Sequence, residues 1–261
     1  MEIIDITDEY KCTYCHCLEE WSPEMKESGE LKTKWYEKNK EVGLRVKLAK
    51  NEQNKIVGMI QYIPIEYAPV SGKNLYYIYC IWVHGNTEGV GNNQNKSIGT
   101  KLLEAAESDV KNLGGRGVAA WGLLLPFFMQ SKWYKKKGYK TADRQGIMEL
   151  VWKQFDQTAE KPMFIKRVKK PTRVKGKVTV TVFQNGWCPE QNVAHERVKL
   201  ICEKYKEKID YVVFDTSNRE TFLEWGILDG LYINGKEVSI TPAPSYEVIE
   251  KLLIKAIKKL P

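Results

Sequence analysis

One stretch constrains the fold of this 261-residue chain more than any other. Leu75 to Val83 is an unbroken run of aromatic and β-branched residues, suited to a strand buried inside a sheet. A loop rich in Gly and Asn follows, from His84 to Lys96. Then Ile98, Leu102, Leu103, Ala106, Val110 and Leu113 recur at helical spacing, and Gly114-Gly115 closes the helix as C-terminal glycines do. A buried strand that hands over to an amphipathic helix demands a sheet with a helix packed on it, so the chain is α/β. The handover has a chemical consequence. Unpaired backbone N–H groups gather at the helix start, and the helix dipole favours an anion there. Large side chains at Ser97 and Gly99 would block close approach to that backbone.

Neighbouring segments supply the rest of a sheet. Leu44 to Ala49 alternates as a strand does, Asn51 to Asn54 make a polar turn, and Lys55 to Ile63 returns, which predicts a hairpin. Gly117 to Leu125 reads as a further buried strand. Pro126 to Lys137 reads as a helix ended by Gly138, and Tyr139 to Phe155 as a closing pair of strands. Nearer the start, Ser22-Pro23-Glu24 has the residues of a helix N-terminus, with Ser at the cap and Pro in the first turn.

Charge divides the chain. Residues 158–177 hold eight basic residues against Glu160 alone, which is +7 of the net +8. The remainder is nearly neutral, so the basic balance argues for a solvated linker rather than a nucleic-acid surface. After it the pattern restarts. Lys177 to Gln184 and Ile209 to Phe214 read as strands, with Ala194, Val198, Ile201 and Tyr205 on one helical face between them. Asn234-Gly235 between Leu231–Ile233 and Lys236–Val238 predicts a hairpin, and Val248, Ile249, Leu252, Leu253, Ala256 and Ile257 form the stripe of a last helix. The expected organisation is therefore a domain over 1–157, a basic linker over 158–176 and a smaller domain over 177–261. No run approaches the roughly 20 apolar residues of a membrane helix. The first 20 residues carry six acidic residues and no apolar core of a signal peptide, so the expected location is the cytoplasm, with no membrane partner.

The segment Gln94-Asn95-Lys96-Ser97-Ile98-Gly99-Thr100 after Ile81-Trp82-Val83 resembles the diphosphate loop of the GNAT acetyltransferase superfamily, whose pattern is Gln/Arg-x-x-Gly-x-Gly/Ala before a helix. Gln94, Gly99 and the spacing match. Ser97 replaces the first glycine, and serine, though small, cannot adopt the positive φ that glycine can. The resemblance covers roughly residues 1–155 and is strongest over 76–139. It implies a mixed, mostly antiparallel sheet flanked by helices, with acetyl-CoA as co-substrate and an amine, small molecule or peptide, as acceptor. It implies that Ile81, Trp82 and Val83 lie along the pantetheine arm, one of their amides holding the acetyl carbonyl, and that Gln94 to Thr100 hold the diphosphate. It also implies a general acid at Tyr134, four residues before Gly138-Tyr139. A phenol there protonates the departing thiolate. Glu66 and His84 are candidate bases for the incoming ammonium, with a water chain as the alternative.

The six cysteines read as free thiols of a reducing compartment. Cys12-Thr13-Tyr14-Cys15-His16 matches a haem-attachment pattern literally, but haem attachment belongs to exported proteins. Cys12, Cys15, His16 and Cys17 span too little chain to surround one metal ion, so no metal is assigned. Strand, Trp187-Cys188-Pro189, helix, strand, hairpin and helix over 177–261 resembles the thioredoxin-like fold. Gln191 stands where a resolving cysteine would, and Asp229 or its neighbours stand where that fold has a cis-proline. His195, seven residues after Cys188, reads as a surface histidine. The leading expectation is a GNAT-type N-acetyltransferase working by direct attack. The alternatives are a thiol-redox protein acting through Cys188 and a non-catalytic CoA-binding scaffold.

Overall fold

A computed structural model describes residues 1–125 and 128–260. In chain order the elements are β1 (Glu2–Asp5), α1 (Lys11–Cys15), α2 (Pro23–Glu27), α3 (Leu31–Lys40), β2 (Arg45–Lys50), β3 (Ile56–Pro64), β4 (Val70–Ser71), β5 (Tyr76–Val83), α4 (Ile98–Asn112), β6 (Gly117–Leu123), α5 (Ser131–Lys135), β7 (Lys140–Gln145), β8 (Met148–Gln154) and β9 (Met163–Phe164). They continue with β10 (Val178–Gln184), α6 (Pro189–Lys204), β11 (Ile209–Asp215), α7 (Arg219–Trp225), β12 (Gly230–Ile233), β13 (Lys236–Val238) and α8 (Tyr246–Ile257). The chain forms two compact units, one of Met1–Trp21 with Tyr36–Ile165 and one of Ser22–Trp35 with Lys166–Pro261.

The first unit is built on a seven-stranded sheet in the order β1-β2-β3-β5-β6-β8-β7. Every pairing is antiparallel except β5 with β6. This is the mixed, mostly antiparallel architecture expected. The apolar stripe of α4 explains where the core sits: Leu102, Leu103, Ala106 and Val110 pack on Val57, Ile60, Ile78, Val118 and Ala120 of the sheet. A bidentate fork from Arg45 to Asp109, at 2.8 and 2.9 Å, pins the outer face of that helix to β2, and the Tyr62 hydroxyl donates to the same carboxylate at 2.6 Å.

Among the departures from the sequence reading, two lie in the first unit. The helix expected over 126–137 is confined to Ser131–Lys135, and Pro126 and Phe127 lie outside the described residues. The four-residue edge strand β1 pairs with β2 although its polar residues carry little strand signal.

The second unit has a four-stranded sheet, β11-β10-β12-β13. β10 and β11 are parallel, so α6 must cross between them, and β12 and β13 turn through Asn234 and Gly235 at φ 50° and 74°. Val178, Val180 and Val182 form its core with Ala194, Val198, Ile249 and Leu253. The α8 stripe is narrower than its spacing suggests, since Val248 and Leu252 are exposed.

Ser22–Trp35 groups with this unit although the sequence division ends the first domain only at 157. Arg197 on α6 holds Glu24 and Glu27, both at 2.8 Å, and Gly186 lies close to Leu31 O and Trp35, so the segment is attached by ion pairs and by packing. The basic stretch is solvated but also tied down. Val168 N–H donates to Trp225 O at 2.9 Å, Arg167 pairs with Glu237 and Lys169 with Glu224. Among the described residues, no helix is long and apolar enough to cross a membrane.

Candidate active site

The two central parallel strands separate. β5 and β6 pair only over Tyr76–Ile78 with Val118–Ala120, whereas β5 stays paired with β3 as far as Val83. Beyond Ile78 the edge of β5 that faces β6 leaves the ladder, and a strand edge outside a ladder presents N–H and C=O groups to an extended ligand. A hydrogen bond spans the wedge, from Trp121 Nε1–H to Tyr79 O at 2.8 Å.

A β-bulge prepares this edge. Gln61 faces Cys80 and Tyr62 faces Ile78, so Tyr79 is the extra residue on β5. The bulge reverses which side chains point to α4. Ile78 packs in the α4 core, and past the bulge it is Ile81 and Val83 that approach Gly99 at the start of α4. Ile81, Trp82 and Val83 are half-buried.

The loop that follows ends at an open helix start. Ser97 is the N-cap of the 15-residue α4, in the left-handed region at φ 58°, and makes no side-chain cap bond. Asn95 is also left-handed, at φ 62°. The reading of Ser97 as averse to positive φ is corrected here: the serine takes that conformation, at a cost of about 1–2 kcal/mol. No acidic residue lies in the first turn. The N–H groups of Ile98, Gly99 and Thr100 therefore start the helix without a capping side chain, the arrangement that receives a phosphate. A Cβ on Gly99 would meet Trp133, Val83 and Ile81 only at 3.5–4.0 Å, which is ordinary contact. The chain's own packing thus does not require glycine there. Gln94 and Lys96 turn elsewhere: Gln94 Nε2 donates to Val83 O at 3.3 Å and Lys96 Nζ to Asn93 Oδ1 at 3.2 Å.

Tyr134 sits on α5, fully buried between the rings of Trp133 and Tyr139. Its hydroxyl is directed to the Met129 thioether at 3.6 Å, a weak acceptor that a better one readily replaces. Burial pushes the phenol well above its usual pKa, so it holds its proton. Beneath α5, burial of Glu149 would raise its carboxyl, but hydrogen bonds from Lys135, Thr141, Ser131 and Arg144 hold it down to about 2. That carboxylate fixes the short helix carrying Tyr134.

The two candidate bases are not brought together with the loop in the same way. His84 follows Val83 directly, and it is fully buried. Its Nδ1 lies 2.9 Å from Gly91 O and must donate, which leaves Nε2 to accept from Trp21 Nε1 at 3.3 Å. Glu66 lies at the other end of β3, beyond Pro64, which pairs with Tyr76, while Gly58 pairs with Val83. Its carboxylate accepts from the Asn74 amide at 2.8 Å.

Sequence reasoning named Trp82 but passed over its aromatic neighbours Trp121 and Phe128. Phe128 stands 5.9 Å from Trp82 and 6.1 Å from Trp121, ring centre to ring centre. Trp82 and Trp121 come from the two diverging strands, so only the register between them could have signalled the trio. Near the N-terminus, donor atoms of Cys12, His16 and Glu20 lie within 4.8 Å of one another. Glu20 had no place in the cysteine motif as read from sequence. In the second unit, Cys188 is the N-cap of α6, and Asp229 accepts from Asn185 N–H and Trp187 Nε1–H, both at 3.0 Å. The cis peptide bond of this unit is Thr241-Pro242, after β13 rather than before β12.

Residues 3–139 match the Acetyltransferase (GNAT) family. YoaP of Bacillus subtilis (strain 168), described as an uncharacterized N-acetyltransferase, is 26% identical over 167 residues. That match covers 60% of this chain and spans 61% of the length of that relative. Among solved structures, an acetyltransferase of the GNAT family from Staphylococcus aureus Mu50 is 16% identical, covering 59% of this chain and 99% of that one with a TM-score of 0.43. The aminoglycoside 6′-N-acetyltransferase from Enterococcus faecium is 15% identical, covering 61% and 100% with a TM-score of 0.43.

Proposed function

The chain belongs to the acetyltransferase (GNAT) family, and on that premise we propose that the domain over 1–157 moves an acetyl group from acetyl-CoA to a primary amine by direct attack. The observation that carries the reading is the wedge between β5 and β6 opening beside the uncapped start of α4. Acetyl-CoA supplies a thioester already activated toward nucleophiles.

The chain's residues divide the remaining work. The amides of Ile98 to Thr100 and the dipole of α4 hold the diphosphate, and the open edge at Ile81 to Val83 pairs with the pantetheine amides. A β5 amide at that edge polarises the acetyl carbonyl. The amine nitrogen bonds to the acetyl carbon, the carbon–sulfur bond breaks, and Tyr134 gives its proton to the departing thiolate. The amine's surplus proton leaves through water and restores the phenol. Water is the better carrier because the His84 lone pair is taken by Trp21 and Glu66 is engaged with Asn74. The faces of Trp82 and Trp121 attract an ammonium to the wedge.

The second unit is read as a thioredoxin-like module, supported by its sheet order and by Cys188 at the start of α6. With Gln191 in place of a second thiol its role is docking rather than dithiol exchange. An amine-library screen for acetyl-CoA-dependent thiol release tests the reading. Turnover of at least one amine, reduced in Tyr134→Phe, is the expected result. CoA binding with no turnover of any amine would favour the scaffold.

A further inference from the structure

The Cys12-Thr13-Tyr14-Cys15-His16 motif plays no part in the proposed acetyl transfer, and burial sorts its members. Cys15 is buried in the core, whereas Cys12 is exposed and His16 half-buried. Cys12 on α1 and His16 at its C-cap stand four residues apart, so their side chains share a face. Glu20 reaches them through the backbone. Cys17 and Leu18 both take left-handed φ, 52° and 68°, and the Leu18 N–H returns to Thr13 O at 2.8 Å. That reversal folds the chain back along α1 and brings the Glu20 carboxylate to the other two side chains. A thiol sulfur, an imidazole nitrogen and a carboxylate oxygen then lie within 4.8 Å of one another. Cys12, Cys15, His16 and Cys17 alone span too little chain to surround an ion, and Glu20 supplies a ligand from outside that motif.

The spacing and the chemistry both suit one class of ion. Tetrahedral zinc, with bonds of about 2.0–2.3 Å, separates neighbouring donors by about 3.3–3.8 Å. Cys12 Sγ and His16 Nδ1 are 3.6 Å apart, one edge of such a tetrahedron. The trio as a whole needs to close by about 1 Å at most, and its side chains reach solvent, so rotation suffices and an ion can enter from the surface. Nδ1 also meets Cys12 O at 2.9 Å, and that carbonyl keeps the His16 backbone N–H at 3.1 Å when the ring turns to a metal. The Cys12 thiol donates to the Glu20 carboxylate, so an ion replaces a single proton between two groups already paired. Sulfur disfavours the hard cations Mg²⁺ and Ca²⁺, and one sulfur, one nitrogen and one oxygen suit Zn²⁺.

We propose that Cys12, His16 and Glu20 bind a divalent cation of borderline softness, Zn²⁺ before others, with water in the fourth position. The thiolate and the carboxylate together cancel its charge. The ion clamps the turn after α1 and so steadies the next residue, Trp21, whose indole bonds to His84. The site is independent of acetyl transfer, and its failure would leave the reading of the wedge untouched.

Full-length reduced protein, stripped of metal with EDTA, is titrated with Co²⁺ and then with Zn²⁺. One equivalent of Co²⁺ is expected to develop the sulfur-to-cobalt charge-transfer band and the strong visible absorption of a tetrahedral site, and Zn²⁺ should abolish both. In protein labelled with ¹⁵N-histidine, Zn²⁺ should shift the ring signals of His16 and leave those of His84 and His195 still. Cys12→Ser should remove the charge-transfer band, and Glu20→Gln should weaken Zn²⁺ binding about tenfold or more. Both residues are exposed, so circular dichroism should show the variants folded as the parent. Absence of stoichiometric Co²⁺ binding would overturn the proposal. So would a charge-transfer band that survives Cys12→Ser, or Zn²⁺ affinity undiminished by Glu20→Gln.

Discussion

The indole N–H of Trp21 is hydrogen-bonded to Nε2 of His84 at 3.3 Å, and the other ring nitrogen of that histidine meets Gly91 O at 2.9 Å. The imidazole thus ties the residues before α2 to the loop after β5. Gly89, at φ 62°, lies so close to the Trp21 ring that a Cβ would collide with it. A histidine with both nitrogens engaged is a brace. His84→Asn should lower stability by about 1–2 kcal/mol through the lost bonds, while the pH profile of turnover keeps its acid limb. Urea midpoints and rate profiles between pH 5 and 9 check this, and disappearance of the acid limb would make His84 a base.

Tyr134 retains its proton in a fully buried site with only a thioether as partner. Tyr134→Phe should reduce kcat on the order of 10²-fold, with CoA affinity within about twofold by calorimetry. Unchanged kcat would remove the phenol from the reaction.

Ser97 carries positive φ without the freedom of glycine. Ser97→Gly should raise stability by up to about 1 kcal/mol, and Ser97→Val should lower it by about 1–2 kcal/mol and weaken CoA binding with it. Thermal melts with and without CoA separate the two effects. Equal CoA affinity in both variants would show that the backbone at this position does not meet the ligand.

How much of this was legible can be judged from the same residues. The β5–loop–α4 unit, the Asn234-Gly235 hairpin and the Ser22 cap were readable because strand runs, turn residues and caps are local properties. The Tyr79 bulge was not, since an extra residue on a strand exists only relative to its partner β3. Nor was the attachment of Ser22–Trp35 to the second unit, which rests in part on Arg197 meeting glutamates some 170 positions earlier in the chain. Helix α7 escaped notice because its signal is a lone cap, Asn218, with only Phe222 buried. His195, read as a surface histidine, is buried; it was misjudged because helical spacing tells which residues share a face, and burial on a second face needs a neighbour from far away in sequence.

Burial of His195 also makes a prediction about pH. Its folded pKa, about 4, lies below the ordinary 6.5, so the unfolded chain binds the proton first. The stability of the second unit is complete above pH 6.5 and falls as pH drops toward 4, by about 2 kcal/mol at pH 5. His195→Phe should flatten this dependence. Urea midpoints at pH 7 and pH 5 measure it, and equal slopes in parent and variant would place the pH sensitivity elsewhere.

Calorimetric titration of the full chain with CoA, paired with a thermal melt, bears most directly on the open start of α4. Saturable heat with one site and a melting temperature that rises with CoA concentration is the expected result, the gain reaching about 2.7 kcal/mol at a hundredfold excess over Kd. Absence of both heat and protection, in a chain that is folded by its melt, would contradict the acetyltransferase reading at its foundation.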